Sequence, residues 1–246
     1  MVEIKNKILK NSFKIHNIEV YALKIPLKNP IKMSGVTVHN AENIFVKVTS
    51  NNGLYGWGEA SSAPTMTGEF VEGMFAAGKF IKEHLIGAHF KNLFDVNILK
   101  HLPIYENKGT LSAFEMALID LMLKEEDVSF QKFFNLNHRN NIPIIQMVAG
   151  ADINEEILNV KKAVSNGFSC FKIKVGSSND YKHDLERCAK IISSVDNSCK
   201  FSADANEGYN NEDALKFALE AKNCGLKFFE QPIPSKNLDF MNTITT

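Results

Sequence analysis

Residues 170–176 read CFKIKVG, a run in which apolar and basic side chains alternate. An alternation with a period of two is typical of a β-strand, because successive side chains of a strand point to opposite faces. The apolar side chains would pack under helices, and Lys172 and Lys174 would share the other face. An ammonium group on an enclosed face is costly unless it is paired, so this strand predicts acidic partners. Taken alone, the segment also fits a strand with one solvated face whose lysines serve solubility.

Three further apolar runs accompany this strand in the second half of the chain, and helical segments separate them. The four runs begin 27 to 30 residues apart, at Ile142–Val148, Cys170–Val175, Lys200–Asn206 and Lys227–Ile233. Strands that alternate with helices predict right-handed crossovers and a parallel sheet. The regular spacing suits a (β/α) barrel at least as well as a doubly wound sheet. No Gly-x-Gly-x-x-Gly motif follows the first run, which weakens a dinucleotide-binding interpretation.

The first half of the chain has a different pattern, with strands ahead of helices. Strand-like alternation around a Gly/Asn turn predicts a hairpin, and apolar residues at helical spacing predict two helices. The segments are His16–Ile25, Asn43–Thr49 and Leu54–Ala60 for the strands, Ser50–Gly53 for the turn, and Gly68–Leu85 and Thr110–Lys124 for the helices. The sequence therefore predicts an α+β domain ahead of the barrel units.

Three domain ranges follow from these patterns. We expect a polar N-terminal extension at residues 1–14, an α+β domain at 15–140 and the first half of a (β/α) TIM-type barrel at 141–246. The barrel is expected to be incomplete, with about four βα units, because a closed eight-stranded barrel usually takes about 250 residues. An open half barrel would expose strand edges that promote aggregation unless something covers them.

The composition argues against several classes of protein. The 28 basic residues balance the 28 acidic ones, so no net field favours nucleic acid or anionic lipid as a partner. No apolar run approaches the ~20 residues that cross a bilayer, and residues 1–12 lack the apolar core of a secretory signal. The four cysteines form no Cys-x-x-Cys pair, which favours reduced thiols over a metal or disulfide framework. We therefore expect a cytoplasmic protein that binds neither nucleic acid nor membrane.

Acidic side chains end the two strands that follow the lysine strand. Asp204 and Asn206 share one face of the third run, and Glu230 lies in the fourth run, about one βα period later. Catalytic residues of (β/α) barrels gather at the carboxyl ends of the strands. Neighbouring strands lie ~4.8 Å apart, so both carboxylates can reach one hard cation between them. Each acid alone could be a helix cap or a surface charge, but three successive strands with matching chemistry argue against that.

The combination of lysines and paired carboxylates points to proton abstraction. A proton α to a carboxylate is too weakly acidic for an unaided lysine. A divalent cation bound to the substrate carboxylate stabilises the enediolate, and a positioned lysine takes the proton. Partial burial and the nearby cation would lower the lysine pKa values, as a base requires.

The lysine strand and the two acidic strands resemble the muconate-lactonizing branch of the enolase superfamily, the mandelate racemase/muconate lactonizing enzyme family, and most closely its dipeptide (L-Ala-D/L-Glu) epimerases. Lys172–Gly176 is similar to that family's Lys-x-Lys strand, in which the second lysine is the base and the first supports it. The resemblance implies Lys174 as the base and Lys172 as its neighbour. It also implies an isomerase, a racemase or epimerase acting on amino acid derivatives, with Mg²⁺ or alternatively Mn²⁺ and no organic cofactor.

The resemblance covers nearly the whole chain from about Ile15 onward. The motif Asp-Ala-Asn at 204–206, followed by Gly208 and Tyr209, is similar to the family's first metal-ligand strand, and Glu-Gln-Pro at 230–232 to the second. The implied metal ligands are therefore Asp204 and Glu230, with Asn206 beside them.

The first half of the chain resembles the family's capping domain, whose loops close over the substrate. The matching segments are residues 28–30, 34–35, 56–60 and 67–69. The resemblance implies that Met33–Val36, including Ser34, and Thr65–Thr67 shape substrate specificity.

Two departures from the family pattern bear on activity. The family carries a third acidic metal ligand on a fifth strand and a second lysine on a sixth, whereas this sequence has four strand-like runs. Many dipeptide epimerases carry a substrate-contacting threonine near the position of Val148, and this sequence has none in residues 146–150. We therefore expect a C-terminally truncated chain in which two carboxylates hold the cation weakly and activity on its own is impaired.

Other interpretations stay open at this point. Sister activities of the same family are a cycloisomerase, an o-succinylbenzoate synthase and an N-acylamino-acid racemase. A non-catalytic remnant that kept the capping domain and half barrel is an alternative from another class. A flavodoxin-like module would need a phosphate-binding loop after Val148 or Val175, for which residues 176–179 are a weak candidate. The expected partners are a small dipeptide-like carboxylate substrate and either further copies of the chain or a complementing C-terminal half.

Overall fold

The computed structural model forms two compact units, Met1–His138 and Arg139–Thr246. The structure describes residues 8–33, 36–134, 141–150, 152–177 and 180–245.

The first unit is built on a four-stranded antiparallel sheet with the order β3-β2-β1-β4. Its strands are β1 (Ile8–Met33), β2 (Val36–Ser50), β3 (Tyr55–Ser61) and β4 (His89–Asn92). Its helices are α1 (Val71–Leu85), α2 (Lys108–Glu125), the short α3 (Phe130–Phe133) and a 3₁₀ helix at Leu93–His101. The predicted hairpin is present: Ser50 and Leu54 close the turn through a backbone hydrogen bond of 2.9 Å, and Gly53 has a φ of +85°.

Strand β1 begins earlier than the sequence prediction of a polar extension at residues 1–14 allows. Leu9 and Phe13 are buried at 5% and 1% exposure, and the Phe13 ring stacks on Phe90 of β4 with centroids 5.3 Å apart. The prediction is therefore wrong for residues 8–14. Leu9 and Phe13 anchor the pairing of β1 with β4, although most of their neighbours in the sequence are polar. A polar average composition therefore does not reveal this strand.

Helix α2 packs directly on strand β3 at two glycines. A Cβ atom at Gly56 would collide with the backbone carbonyl of Ala117, and one at Gly58 with the carbonyl of Ala113. Both glycines are buried. They are two residues apart in the strand, so both face the same helix. The motif Gly-Trp-Gly is thus required by the close approach of two backbones.

We expect Gly58→Ala to destabilise the first unit by about 3 kcal/mol, because the added methyl group meets backbone atoms that cannot rotate away. Urea unfolding followed by circular dichroism measures the change. Gly73→Ala is the matched control: Gly73 lies in α1 with open space around it, so alanine should stabilise the helix by about 0.5–1 kcal/mol. Equal stability of the two variants would contradict the packing argument.

The second unit contains a parallel sheet with the strands in chain order, β5-β6-β7-β8. The strands are β5 (Ile145–Val148), β6 (Cys170–Lys174), β7 (Lys200–Asp204) and β8 (Phe228–Glu230), and the helices are α4 (Ile153–Ser165), α5 (Tyr181–Ser193), α6 (Asn211–Cys224) and α7 (Leu238–Thr245). Asp152, Asp180 and Asn210 cap the first three helices with side chains that accept hydrogen bonds from backbone N–H groups.

The order of the strands matches successive units of a (β/α) barrel. A doubly wound sheet would reverse its strand order at a switch point, whereas here the strands follow one another in chain order and consecutive helices pack against each other. Among the described residues the sheet does not close, so β5 and β8 are its edges. Exposed apolar side chains lie on or beside these edge strands: Ile142, Ile144, Ile145, Met147 and Phe228.

The core of the second unit confirms the alternation predicted for residues 170–174. Phe171 and Ile173 are buried at 1% and 0% exposure, and the Phe171 ring stacks on Phe201 of β7 at 5.1 Å. Lys172 and Lys174 keep about a quarter of their side-chain surface exposed on the opposite face.

The four cysteines are free thiols. Cys188 is buried in the core, and burial raises the pKa of its thiol to about 12, so it stays protonated at neutral pH.

In the described parts of the chain, no helix combines the length and hydrophobicity that a membrane crossing requires.

Candidate proton-abstraction site

The site lies at the carboxyl ends of β6, β7 and β8, where the register of the sheet aligns three functional side chains. Lys174 is paired with Asp204, and Asp204 with Glu230, so the three occupy one row across neighbouring strands. Lys172 lies two residues earlier on the same face of β6. The alternation of side chains along each strand therefore delivers two lysines and two carboxylates to a single surface.

Hydrogen bonds and ion pairs link the four charged side chains. The Lys174 ammonium donates to Asp204 Oδ2 at 2.7 Å and to Asn206 Oδ1 at 2.5 Å. The Lys172 Nζ atom lies 2.8 Å from Glu230 Oε2 and 3.4 Å from Asp204 Oδ2. The structure thus brings together all five residues that the sequence placed at the strand ends.

Asp204 is the most enclosed member of the group, with 2% of its side chain exposed. Burial alone would raise its pKa and is the largest single influence. The Lys174 hydrogen bond, the Asn206 backbone N–H at 3.1 Å and the charges of the two lysines together outweigh it, so the pKa of Asp204 lies below its usual range. Asp204 is therefore a carboxylate at neutral pH.

Lys172 differs from the expectation of a lowered lysine pKa. Its hydrogen bond to Glu230 raises the pKa above the ordinary value; partial burial opposes this, and the charges of Asp204 and Glu230 add to the rise. The expectation assumed that a cation would be the dominant neighbour of the lysine. With two carboxylates as its neighbours, Lys172 is held as an ammonium.

The donor set fits a hard divalent cation as part of its coordination shell. Asp204 and Glu230 stand in register on adjacent strands, and both converge on the single positive charge of Lys172. Carboxylate and amide oxygens, including Asn206 Oδ1, are the ligand types that Mg²⁺ prefers. Within the described residues no group of three or more His, Cys, Asp or Glu side chains gathers around one point. The two carboxylates would therefore supply only part of a six-ligand shell.

The loops that follow β7 and β8 adopt left-handed backbone conformations. Asn206, Glu207 and Gln231 have φ values of +45°, +69° and +46°. Three backbone hydrogen bonds join these segments, from Ala205 N to Glu230 O at 3.1 Å, from Glu207 N to Gln231 O at 2.8 Å and from Tyr209 N to Pro232 O at 3.2 Å. Such conformations cost about 1–3 kcal/mol each and cluster at functional sites, where surrounding contacts maintain them.

The predicted specificity residues belong to the first unit. Thr65 and Thr67 are exposed in the segment between β3 and α1, where Thr67 Oγ1 accepts a hydrogen bond of 3.4 Å from Glu69 N. The Glu69 carboxylate in turn accepts from Gly109 N at 2.9 Å, which fixes this segment to the start of α2. Met33 ends β1, and its side chain lies outside the described residues, as does Ser34. Their role in specificity stays a prediction.

A buried ionic cluster behind the strand ends escaped the sequence analysis. Arg187 of α5 forms two hydrogen bonds with the Glu156 carboxylate, from Nε at 2.6 Å and from Nη2 at 2.5 Å. Asp184 accepts a 2.7 Å hydrogen bond from the Tyr209 hydroxyl, and burial together with this bond raises the pKa of Tyr209. The available signal was an Asp and an Arg three residues apart on the otherwise apolar face of a helix.

The fold and the site together define a class of protein: an α+β unit followed by βα units that carry a Lys-x-Lys strand and strand-end carboxylates. Two family models match the chain, the mandelate racemase/muconate lactonizing enzyme N-terminal domain over residues 16–134 and the enolase C-terminal domain-like model over residues 156–246. The chain belongs to the mandelate racemase/muconate lactonizing enzyme family of the enolase superfamily.

Relatives within the family have different activities. The chain is 28% identical to a D-Ala-D/L-Ala epimerase of Cytophaga hutchinsonii, over 91% of this chain and 60% of that protein. It is 27% identical to a chloromuconate cycloisomerase of Delftia acidovorans, over 94% and 63% respectively. A solved dipeptide epimerase from Cytophaga hutchinsonii, complexed with Mg and the dipeptide D-Ala-L-Val, superposes with a TM-score of 0.84 at 26% identity, covering 94% of this chain and 62% of that one. The chain spans 60% to 65% of the length of three curated relatives that it matches.

Proposed function

We propose that this chain carries the base and two metal ligands of a divalent-metal-dependent site that removes a proton α to a carboxylate, of the dipeptide epimerase type. The observation that carries the proposal is the row of Lys174, Asp204 and Glu230 across three neighbouring strand ends, with Lys172 bridging the two carboxylates. Epimerases among the relatives, one of them solved with Mg and a dipeptide, support it.

Each of the four charged side chains has a role in the proposed reaction. Asp204 and Glu230 would hold the cation, whose charge, when it is bound, stabilises the negative charge that develops on the substrate carboxylate. In this step Lys174 acts from its neutral amine form: Nζ takes the α-proton and becomes an ammonium, and Asp204 and Asn206 accept hydrogen bonds from that ammonium. Lys172, held charged by Glu230, supplies a fixed positive charge on the same face.

Sister activities are the second candidate, because the similarities to relatives do not separate epimerases from cycloisomerases. The epimerase of Cytophaga hutchinsonii and the cycloisomerase of Delftia acidovorans are nearly equal in identity to this chain. An o-succinylbenzoate synthase and an N-acylamino-acid racemase use the same abstraction step on other carboxylates, and a non-catalytic remnant would use none.

A substrate panel separates these candidates. Because this chain supplies two carboxylate ligands, we expect slow Mg²⁺-dependent exchange of the α-proton for deuterium in L-Ala-L-Glu or L-Ala-D-Glu. The rate should still be at least tenfold above that of N-succinyl-L-arginine, because a substrate pocket discriminates between side chains of different shape. Proton nuclear magnetic resonance in D₂O follows the loss of the α-proton signal. Faster exchange of the succinylated amino acid, or turnover of cis,cis-muconate alone, would reassign the activity.

We further propose a cytoplasmic location, which the four free thiols support. For partners we propose a small dipeptide-like substrate and, at the exposed apolar edges β5 and β8, either further copies of this chain or a complementing half barrel. Sedimentation analysis of the purified chain, alone and with a polypeptide carrying the complementary βα units, distinguishes the two.

A further inference from the structure

The buried ionic cluster touches the backbone of the strand that carries the proposed base. Arg187 Nη1 donates to the main-chain carbonyl of Lys174 at 2.7 Å. The Glu156 carboxylate accepts from Gly150 N at 2.8 Å, just beyond the end of β5. Asp184 Oδ2 accepts from Gly176 N at 2.9 Å, two residues after Lys174. Side chains from helices α4 and α5 thus hydrogen-bond to the backbone at the ends of β5 and β6.

Burial of the cluster carries a desolvation cost, because its three side chains are charged. Only 3% of the Glu156 and Asp184 side chains and 12% of the Arg187 side chain are exposed, and the three groups carry a net charge of −1. Buried ion pairs are often no more stabilising than apolar residues of similar volume, because desolvation offsets the attraction. What apolar side chains could not supply are the directional hydrogen bonds to Lys174 O, Gly150 N and Gly176 N.

The carbonyl of Lys174 lies at the point where β6 stops pairing with β7. Lys174 is the last residue of the strand. Its side chain reaches Asp204 Oδ2 on the face of the sheet that points away from the buried ionic cluster. The backbone N–H of the next residue, Val175, is bonded to Asp204 O at 3.0 Å, and the chain then turns at Gly176 with a φ of +79°. A strand end next to such a turn needs an additional constraint to keep one orientation.

We propose that Arg187, oriented by Glu156 and Asp184, is a positioning residue that fixes the end of β6 and thereby directs Lys174 Nζ at Asp204. The inference rests on the proposed function only in naming Lys174 as the base. The guanidinium does not touch the reacting atoms, and it acts through the main chain of Lys174.

The test uses the hydrogen bond between Lys174 and Asp204 as its readout. Nuclear magnetic resonance of the ¹⁵N,¹³C-labelled 246-residue chain, with EDTA and without substrate, detects the Lys174 ammonium and its coupling across the hydrogen bond to the Asp204 carboxylate carbon. The Lys172–Glu230 pair gives an internal reference in the same spectrum. The Ile173 methyl signals, from a fully buried side chain, report whether the core is intact.

Two variants separate positioning from stability. The double variant E156Q/R187M removes one negative and one positive charge, so the cluster keeps its net charge of −1 while the carbonyl of Lys174 loses its donor. Arg187→Lys keeps the positive charge but lacks the fork that bonds Glu156 and the carbonyl together. If the double variant fails to fold, Arg187→Lys carries the test.

In either folded variant we expect the Lys174–Asp204 coupling to be lost, with the Lys172–Glu230 signals and the Ile173 methyl signals retained. A folded variant that keeps the Lys174–Asp204 coupling at the strength of the unmodified chain overturns the proposal. The readout needs neither metal nor turnover, so inactivity of the chain toward dipeptides would leave this result standing, and retention of the coupling would leave the proposed function intact.

Discussion

Replacing Lys174 by methionine is expected to slow exchange of the substrate α-proton with solvent by at least about 1,000-fold, within the range that a general base contributes to catalysis. Methionine has nearly the length of lysine but no amine, so it fills the same space without accepting a proton. Lys172 pairs with Glu230 at 2.8 Å, which raises its pKa, so we do not expect it to replace Lys174 as the base. The measurement is the decay of the α-proton signal of the dipeptide in D₂O with Mg²⁺.

Lys161→Met is the matched control for this prediction. Lys161 lies on the exposed side of helix α4, so the same substitution there should leave the exchange rate within about twofold of the unmodified chain. An exchange rate in Lys174→Met that equals the rate in Lys161→Met would show that another group removes the proton.

Replacing Asp204 by asparagine is expected to weaken divalent-ion binding by ~100-fold, because affinity at oxygen sites depends steeply on the number of charged ligands. The amide keeps the shape and one oxygen donor, so the change isolates the charge. Asp204 is also the residue on which both lysines converge, at 2.7 and 3.4 Å. Electron paramagnetic resonance of free Mn²⁺ during a titration gives the dissociation constant directly.

Two further variants complete the binding experiment. Glu230→Gln should weaken Mn²⁺ binding to a similar extent, since its carboxylate is the second proposed ligand. Asp239→Asn removes the same charge from the exposed surface of α7 and should leave the dissociation constant unchanged. Identical affinities in Asp204→Asn and Asp239→Asn would place the cation elsewhere.

The parallel unit could be predicted from the sequence because its strands obey one local rule. In β6 the period of two separates Phe171 and Ile173 from Lys172 and Lys174, and the structure confirms that separation. The N-terminal boundary could not be predicted in the same way. Leu9 and Phe13 are buried because β4 lies beside them, and that partner is about 80 residues away in the chain.

Part of the candidate site could be predicted from the sequence for a similar reason. Asp204 and Glu230 are the last residues of two strands that are one barrel period apart, so the topology of the sheet brings them together. The raised pKa of Lys172 could not be predicted from the sequence. It depends on the hydrogen bond to Glu230, and that contact exists only in the folded protein. The buried cluster was missed because Glu156 and Arg187 are joined across two helices, and neither residue is unusual alone.

The most direct measurement of the central claim is solvent exchange of the substrate α-proton by the unmodified chain. L-Ala-L-Glu and L-Ala-D-Glu are incubated separately in D₂O with Mg²⁺ or with EDTA, and the α-proton of the glutamyl residue is followed. Both lysines lie on one face of strand β6 and would approach a substrate from one side. We therefore expect exchange in Mg²⁺ that favours one of the two dipeptides and stops in EDTA. Exchange that persists in EDTA or in Lys174→Met, or no exchange of either dipeptide while Mn²⁺ is bound, would contradict the account.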